Sequence, residues 1–387
     1  MRFFCRKKDK SVLFFTPDYH CSFFLRDELR RRGWHAEIFV PYFHSQQLLF
    51  SDDVLRDRFH YQASFSIKNL FLLVPALLLR TLLLARYRYV IHYAPFNYGV
   101  TPTSFAHRLL LVMLKIWFLL IQISGTKLIY LPSGCFHHVS KRAWTNIDGG
   151  RVCGNCGFEP KCNDKRNNTN FEFVRRFASA SLVLDGQMTT EFEETRIRYK
   201  SFDLQMYKPD LVVPRTHRWQ PSKDVRVLHS HALESRQLID KNIKGTPFVI
   251  EAVDRLRSEG VRVSLVNLSG IASREMRFHQ VQADIVVDQL IYGGYGSTAL
   301  EGLALGKPVI CYIRPTWKQF LSSHYPEWEN CPIVSATPET VYQELRKLVI
   351  DEEYRTRVGR ESRRFAEKFL DVKQNVIEFE AMLLSLR

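Results

Sequence analysis

The sequence predicts an α/β protein built from two doubly wound parallel sheets that face each other across a cleft. Three observations carry this. Short apolar runs alternate with amphipathic stretches from Ser11 onward, and the alternation restarts at Val225. Between the two series lies Pro209–Asp224 (PDLVVPRTHRWQPSKD), which holds three prolines and few helix or strand signals. The run Ala283–Ile313 (ADIVVDQLIYGGYGSTALEGLALGKPVICYI) reads as buried strand, glycine-rich loop, short helix and second buried strand.

The elements follow in order. SVLFFT (Ser11–Thr16) reads as a first strand, and Ser22–Arg32 as a helix with Phe24, Leu25 and Leu29 on one face and Gly33 as its stop. AEIFV (Ala36–Val40) is the next strand. A helix is predicted within Asn69–Arg86, a strand at Tyr89–Tyr93, a helix at Phe105–Ile123 and a strand at Lys127–Leu131. A helix near Phe171–Ala178 and a strand at Ser181–Leu184 close the first series. Beyond the proline-rich joint the expected order is strand Val225–Leu228, helix Pro247–Ser258, strand Val261–Asn267 and helix Arg274–Gln280, then the glycine-loop unit. Pro332–Ser335 is a short strand. Thr337-Pro338 opens a helix with a cap and a first-turn proline. The last fifty residues read as helical. The closing piece, Val372–Leu386, carries apolar Val376, Ile377, Phe379, Met382 and Leu383, and it can pack on its own half or back across the joint. The expected division is 1–213, 214–370 and a final helix at 371–387.

Composition narrows the class. At 387 residues either half can bury a full core. A hydrophobic content of 45% excludes a disordered chain. The net charge of +15 favours an anionic partner, whether nucleic acid, a phosphate-bearing substrate or acidic lipid. No secretory signal is expected from MRFFCRKKDKSVLFF, whose apolar stretch is short. Leu70–Ala85 is broken by Pro75 and Arg80, and Leu109–Ile123 by Lys115, so neither spans a membrane. Either can lay one face on a bilayer, and the expected location is cytoplasmic, with a peripheral contact on the inner membrane face.

Open parallel sheets bind ligands past the carboxyl ends of their strands, so the loops after strands hold the chemistry. One such loop is HSHALESRQLIDKNIKG (His229–Gly245), with Arg236, Lys241 and Lys244. Lys244-Gly245-Thr246 runs into a helix, giving a cation, a close backbone approach and free N–H groups together. A departing diphosphate is stabilised by that combination. The second loop is Gly293-Gly294-Tyr295-Gly296-Ser297, with Ser297 and Thr298 expected to cap the following helix. Glu301 lies one turn into it, where a carboxylate can accept two sugar hydroxyls. Neither a P-loop nor a G-x-G-x-x-G fingerprint is present. In the first half, Asp18 and His20 follow the first strand and His92 ends Tyr89–Tyr93. These three are the candidates for a general base, with Lys244 carrying the leaving-group charge.

The second half resembles the donor-binding domain of B-type, two-Rossmann-domain glycosyltransferases, in the group similar to families 1 and 4. KNIKGT (Lys241–Thr246) matches their Arg/Lys-x-x-Lys-Gly-Thr loop, and EGLALGKPVI (Glu301–Ile310) matches their segment after the glycine turn. The resemblance covers roughly residues 225–370 closely and 1–210 as a fold pattern. It implies two facing Rossmann-like domains and a nucleotide-diphosphate sugar as donor. Glu301 would bind the ribose, Gly296 and Ser297 the diphosphate, and Lys241 with Lys244 the phosphates. Gly245, Thr246, Gly294 and Thr298 complete that set. One departure stands out: many family-4 enzymes carry an acid eight residues before the ribose acid, and here that position is Gly293. Retaining stereochemistry is therefore in question, with Asp288 as a partial substitute.

Eight cysteines are present, and four fall in one stretch, Cys135, Cys153, Cys156 and Cys162, with His137 and His138 nearby. Cys-x-x-Cys flanked by glycines suits two thiolates on a structural zinc, which would order a Cys-rich insertion at 135–165 that has little helix or strand signal. Reduced thiols in a loop or a redox pair are the alternatives. The function expected is a hexosyltransferase-like transfer of sugar to a glycan or lipid-linked acceptor, as in polysaccharide biosynthesis, with no nucleic-acid partner. The competing readings are a nucleotide-sugar epimerase and a zinc-containing nucleic-acid binder.

Overall fold

A computed structural model describes residues 9–15, 17–18, 20–40, 49–56, 79, 81–93, 105–131, 141–157, 159, 162, 164, 176–183, 195–196, 200–231 and 241–386. The amino-terminal sheet holds β1 (Ser11–Phe15), β2 (His35–Val40), β3 (Leu55–Arg56), β4 (Tyr89–Tyr93), β5 (Lys127–Leu131), β6 (Ala180–Val183) and β7 (Thr195–Arg196). All its pairings are parallel, in the order β3-β2-β1-β4-β5-β6-β7. The carboxyl-terminal sheet holds β8 (Val225–His231), β9 (Val263–Ser269), β10 (Ile285–Val287) and β11 (Val309–Ile310), also parallel, in the order β11-β10-β8-β9.

Strands covered on both faces need apolar residues at successive positions, and β1 (SVLFF) is buried at all five. In each sheet the strand order reverses once, between β1 and β4 and between β8 and β10. Those reversals open crevices at the carboxyl ends of the strands. Helices cover the faces: α1 (Cys21–Arg31), α2 (Phe105–Ile123), α3 (Lys141–Asp148), α4 (Arg151–Gly154), α5 (Thr246–Ser258), α6 (Ser273–Gln280), α7 (Ser297–Ala304), α8 (Pro315–His324), α9 (Val341–Ile350), α10 (Glu352–Phe369) and α11 (Val372–Ser385). Local chemistry sets their ends. Arg30 and Arg31 face the negative end of α1, and Asp351 caps α10 by accepting from Tyr354 N at 2.8 Å.

Several elements differ from the sequence reading. β8 runs on to His231, because His229 and His231 are buried with their ring nitrogens bonded. Pro332–Ser335 contributes only a single bridge, Ile310 to Val334. Of the helix expected within Asn69–Arg86, the described positions 79 and 81–84 are helical, and most of the helix near Phe171–Ala178 lies outside the described residues. The cysteine stretch contains α3 and α4, helices that its composition did not suggest. Buried Trp144 and Val152 supply the packing that overrides weak propensity.

Two crossings join the halves. Phe202 donates its N–H to Leu370 O at 2.7 Å and accepts from Val372 N at 3.0 Å. Just beyond, α11 lies against α1 of the first half. Phe379 stacks on Phe14 with ring centroids 6.1 Å apart. The mostly buried Glu380 accepts from Trp34 Nε1 at 2.8 Å, Arg32 Nε at 2.7 Å and Lys10 Nζ at 3.0 Å. Burial alone would raise this carboxyl, but the three donors outweigh it and hold it at about 2. A depressed carboxyl stabilises fully above its unfolded value, about 4.5, and the contribution disappears as pH falls toward 2. Glu380→Gln should therefore cost about 1–3 kcal/mol at neutral pH. Urea unfolding of the two proteins should converge between pH 4.5 and 2, and a gap that persists at low pH would remove the charge argument.

Candidate active site

The two loops at the β8/β10 reversal are bonded to each other. Leu290 N donates to Lys244 O at 3.1 Å and Ile291 N to Ile243 O at 3.3 Å. Asp288, the residue after β10, is fully buried and divides its carboxylate between them. Its Oδ1 accepts from Lys244 Nζ at 2.8 Å, and its Oδ2 from Gly296 N at 2.7 Å. Lys244 Nζ also lies 3.5 Å from Thr298 Oγ1. Gly245 has φ +74°, and a Cβ there would meet Leu290 at 3.1 Å. At Gly296 a Cβ would stand 2.8 Å from Asp288 Oδ2, so no larger residue fits without breaking the tie.

Thr246 begins α5 and is held by two histidines. His229 Nδ1 lies 2.9 Å from Val287 O, so that nitrogen carries the proton. Burial, aided by the Lys244 charge, pushes the ring down to about 3, and it is neutral. Its Nε2 must then accept from Thr246 Oγ1 at 2.9 Å, which leaves His231 Nε2, 2.7 Å away, as the donor to that oxygen. The start of α5 is thus fixed by a directed chain of hydrogen bonds.

Glu301 is one turn into α7 and only 6% exposed. Its Oε2 accepts from Gln280 Nε2 at 2.5 Å, and its Oε1 lies 3.4 Å from His20 Nδ1 of the opposite half. His20 is buried against Phe202, 4.5 Å between ring centroids, with Tyr207 at 5.9 Å. Among the described residues neither of its ring nitrogens has a hydrogen-bond partner, nor does Gln280 Oε1. Burial drives the two groups opposite ways: Glu301 is pushed up to about 7, and His20 down to about 3.

No protein-family model matches the sequence, and no curated protein matches it. Solved structures do. Sucrose-phosphate synthase of Thermosynechococcus elongatus aligns at TM-score 0.60 and 14% identity, over 98% of this chain and 99% of that one. HepE of Anabaena, solved in complex with UDP-glucose, aligns at 0.54 and 14%, over 96% and 99%. A glycosyltransferase of Rickettsia africae aligns at 0.54 and 10%, over 99% of both chains. The fold is GT-B, the two-Rossmann-domain fold of the B-type glycosyltransferases.

Within the GT-B frame the remaining candidates fall into place. Gly296 caps α7 through its backbone, so α7 begins at Ser297 with no side-chain cap, contrary to the capping role expected of Ser297 and Thr298. Gly294 turns its carbonyl inward to Gln289 Nε2, 2.5 Å away. Lys241 is exposed, and its carbonyl accepts from Gly157 N at 3.0 Å. Asp18 accepts from Ser22 N at 2.8 Å, Ser22 Oγ at 2.7 Å and Lys200 Nζ at 3.1 Å. Burial would raise its carboxyl, but Lys200, His20 and Ser22 hold it below the usual range. It therefore serves the start of α1 rather than presenting a free base. His92 is buried on β4 and stacks on Phe15 at 5.1 Å. Arg236 lies outside the described residues.

Cys135, His137 and His138 also lie outside the described residues, while Cys153, Cys156 and Cys162 are half-buried. Among the described residues no group of three or more His, Cys, Asp or Glu side chains is arranged to hold a metal. Burial, with Cys162 and Cys156 adding to it, pushes the Cys153 thiol up to about 11. The described part of this stretch packs on the opposite half. Trp144 lies 5.3 Å from the Tyr292 ring, and Asp148 Oδ2 lies 3.3 Å from Arg314 Nη2. The same guanidinium abuts Gly293, where φ is +83° and a Cβ would meet Nη2 at 2.8 Å. Sequence reasoning missed Gln280, Arg314 and Asp148, whose partners are 21 or more residues away.

A carboxyl raised from about 4.5 to about 7 stabilises the fold fully below pH 4.5, and that contribution is lost as pH rises through 7. Wild-type melting temperature should fall between pH 5 and 8 more steeply than that of Glu301→Gln. Parallel pH curves would mean that the carboxyl titrates normally.

Proposed function

We propose that the protein is a glycosyltransferase that moves a sugar from a nucleoside-diphosphate donor to a glycan or lipid-linked acceptor. One observation carries the reading. KNIKGT and the glycine turn, far apart in the chain, meet through the Asp288 carboxylate at the β8/β10 reversal, with Glu301 one turn below. Lys244 supplies fixed positive charge, and the uncapped start of α7 supplies oriented N–H groups. Both suit a departing diphosphate, and neither calls for a divalent metal. In the transfer, the acceptor oxygen bonds to the anomeric carbon as that carbon's bond to the diphosphate breaks. The acceptor proton passes to a base, and catalysis rests on positioning and on charge at the leaving group.

Glu301 is the group for the ribose diol. Its carboxylate is covered by His20, so the donor reaches it when the halves part. With Asp18 bonded to Lys200 and His92 packed on Phe15, His20 is the one of the three base candidates that lies against Glu301, 3.4 Å away. UDP is the favoured nucleotide, since the UDP-glucose complex is among the structures of this fold. An epimerase reading is disfavoured by the supply of acids at the glycine turn, where Asp288 and Glu301 are both engaged.

UDP, and less strongly GDP or ADP, should raise the melting temperature, and DNA or RNA oligonucleotides should not. Glu301→Ala should weaken nucleotide binding by about 1–3 kcal/mol through lost charged hydrogen bonds. Stabilisation by oligonucleotides alone would replace the transferase with a nucleic-acid binder.

A peripheral membrane position is the second part of the proposal. No described helix is long and apolar enough to cross a bilayer. On α2, Val112, Ile116, Leu119 and Ile123 recur at helical spacing and are 47–73% exposed. Leu79 and Leu82 are exposed in the same half, and Lys115 and Arg86 are exposed cations. Such a face suits the interface of an anionic bilayer, where a lipid-linked acceptor resides. Ile116→Glu with Leu119→Glu should abolish co-sedimentation with phosphatidylglycerol vesicles while leaving nucleotide binding intact. Wild-type protein that stays in the supernatant would exclude this face as a membrane contact.

A further inference from the structure

We infer that Asp288 is the positioning residue of the diphosphate site, and that it acts by holding Lys244 against the start of α7. The inference rests on the donor reading above and adds a residue to it. Asp288 follows β10, the strand at the sheet's reversal, and its own N–H is anchored to Ile310 O at 2.8 Å. A fully buried carboxylate is costly unless every oxygen is bonded. Here the partners are one group from each phosphate loop, Lys244 Nζ at 2.8 Å and Gly296 N at 2.7 Å. A single rigid group therefore sets the distance between the two loops.

The lysine gains most from this. A free lysine side chain gives up rotamer freedom when it is fixed. Bonded to Asp288, Lys244 meets that cost in the empty protein. Its ammonium has three donors. One goes to Asp288 and a second faces Thr298 Oγ1 at 3.5 Å, leaving the third for an incoming phosphate oxygen. The side chain is 21% exposed, so the tip is reachable. The arrangement also accounts for glycine at 296, where a Cβ would collide with the carboxylate that ties the loops.

Position and charge make opposite predictions. If Asp288 only neutralised Lys244, removing its charge would tighten anion binding. A positioning role requires binding to weaken. Asp288→Asn keeps the shape and an acceptor for Gly296 N–H but loses the charged tie to Lys244. Calorimetric titration with UDP and with uridine separates the cases. Asp288→Asn should lower UDP affinity about tenfold, the worth of one charged hydrogen bond, and leave uridine affinity within about twofold. On a Lys244→Met background the same substitution should change UDP affinity less than about twofold, because the two residues act as one unit. Gly296→Ala, which presses on the same carboxylate, should reproduce the selective loss of UDP and gives a second route if Asp288→Asn folds poorly. Tighter UDP binding, an equal loss of uridine, or additive effects with Lys244→Met would each overturn the role. Wild-type protein that binds no nucleoside diphosphate would overturn the donor reading and this role together. Binding that Asp288→Asn leaves unchanged would overturn this role alone.

Discussion

The carboxylate of Asp288 is the constraint on which the carboxyl-terminal half is arranged. A buried charge is tolerated only when its partners are fixed in place, and its two partners belong to different loops. Lys244 must therefore leave its strand–helix turn in one direction, which the left-handed Gly245 permits. Gly296 must present its N–H inward and can carry no side chain. α7 starts immediately after, so its first free N–H groups open beside the lysine. The position of Glu301 follows, one helical turn later on the same short helix. What reads in sequence as two separate motifs is a single object in space, built around one acid.

The second constraint is the seam between the halves, which is sealed by polar groups as well as by apolar packing. His20 meets Glu301, Arg314 pairs with Asp148, and Arg274 bonds Asp52 at 3.1 Å. These contacts differ in kind. The Arg274–Asp52 pair is exposed and contributes little. Arg314 and Asp148 are buried, and Arg314 also bonds Tyr292 O at 3.3 Å, so breaking one partner strands a charge. At His20 and Glu301, burial drives both groups toward their neutral forms, and a neutral pair separates at smaller cost than a charged one. The seam is therefore weakest over the residue proposed to take the ribose and stronger beside the cysteine stretch. Opening for a donor should pivot away from α3 and Arg314, while Glu380 on α11 keeps the far end of the molecule attached to the first half.

How much of this was legible in the sequence depends on the range of the signal. Parallel strands buried on both faces leave unbroken apolar runs such as SVLFF and ADIVV, so the alternation and both sheets could be read directly. The two loops proposed to hold the diphosphate could be picked out because each follows such a strand and each carries its own glycines. Asp288 stood in plain view after IVV, but its importance lies in a bond to a lysine 44 residues earlier, and no local pattern encodes that. Gln280 reaches Glu301 across 21 residues for the same reason. The role of Asp18 was closer to hand, since its partner Ser22 is only four residues away, and the structure bonds them. The helices of the cysteine stretch were hidden because their stability comes from Trp144 lying against the other half. Cysteine and glycine spacing is a local signal, and it says nothing of the packing of Trp144 on Tyr292.

Gly293 brings these threads together. An acid at that position would point a negative charge at the donor sugar. Here the backbone is left-handed, φ +83°, and the space beside it is filled by the Arg314 guanidinium, itself bonded to Asp148 of the other half. The loss of the acid and the presence of the arginine are one structural choice, because a side chain at 293 and this placement of Arg314 exclude each other sterically. The choice sets the Arg314–Asp148 pair beside the glycine turn and links that turn to α3. It also removes from the donor half a carboxylate that could steady positive charge at the anomeric carbon. In the proposed reaction that carbon would be flanked by the departing diphosphate on one side and by groups of the acceptor half on the other. Displacement from the acceptor side, where His20 lies 3.4 Å from Glu301, is the course this charge distribution favours.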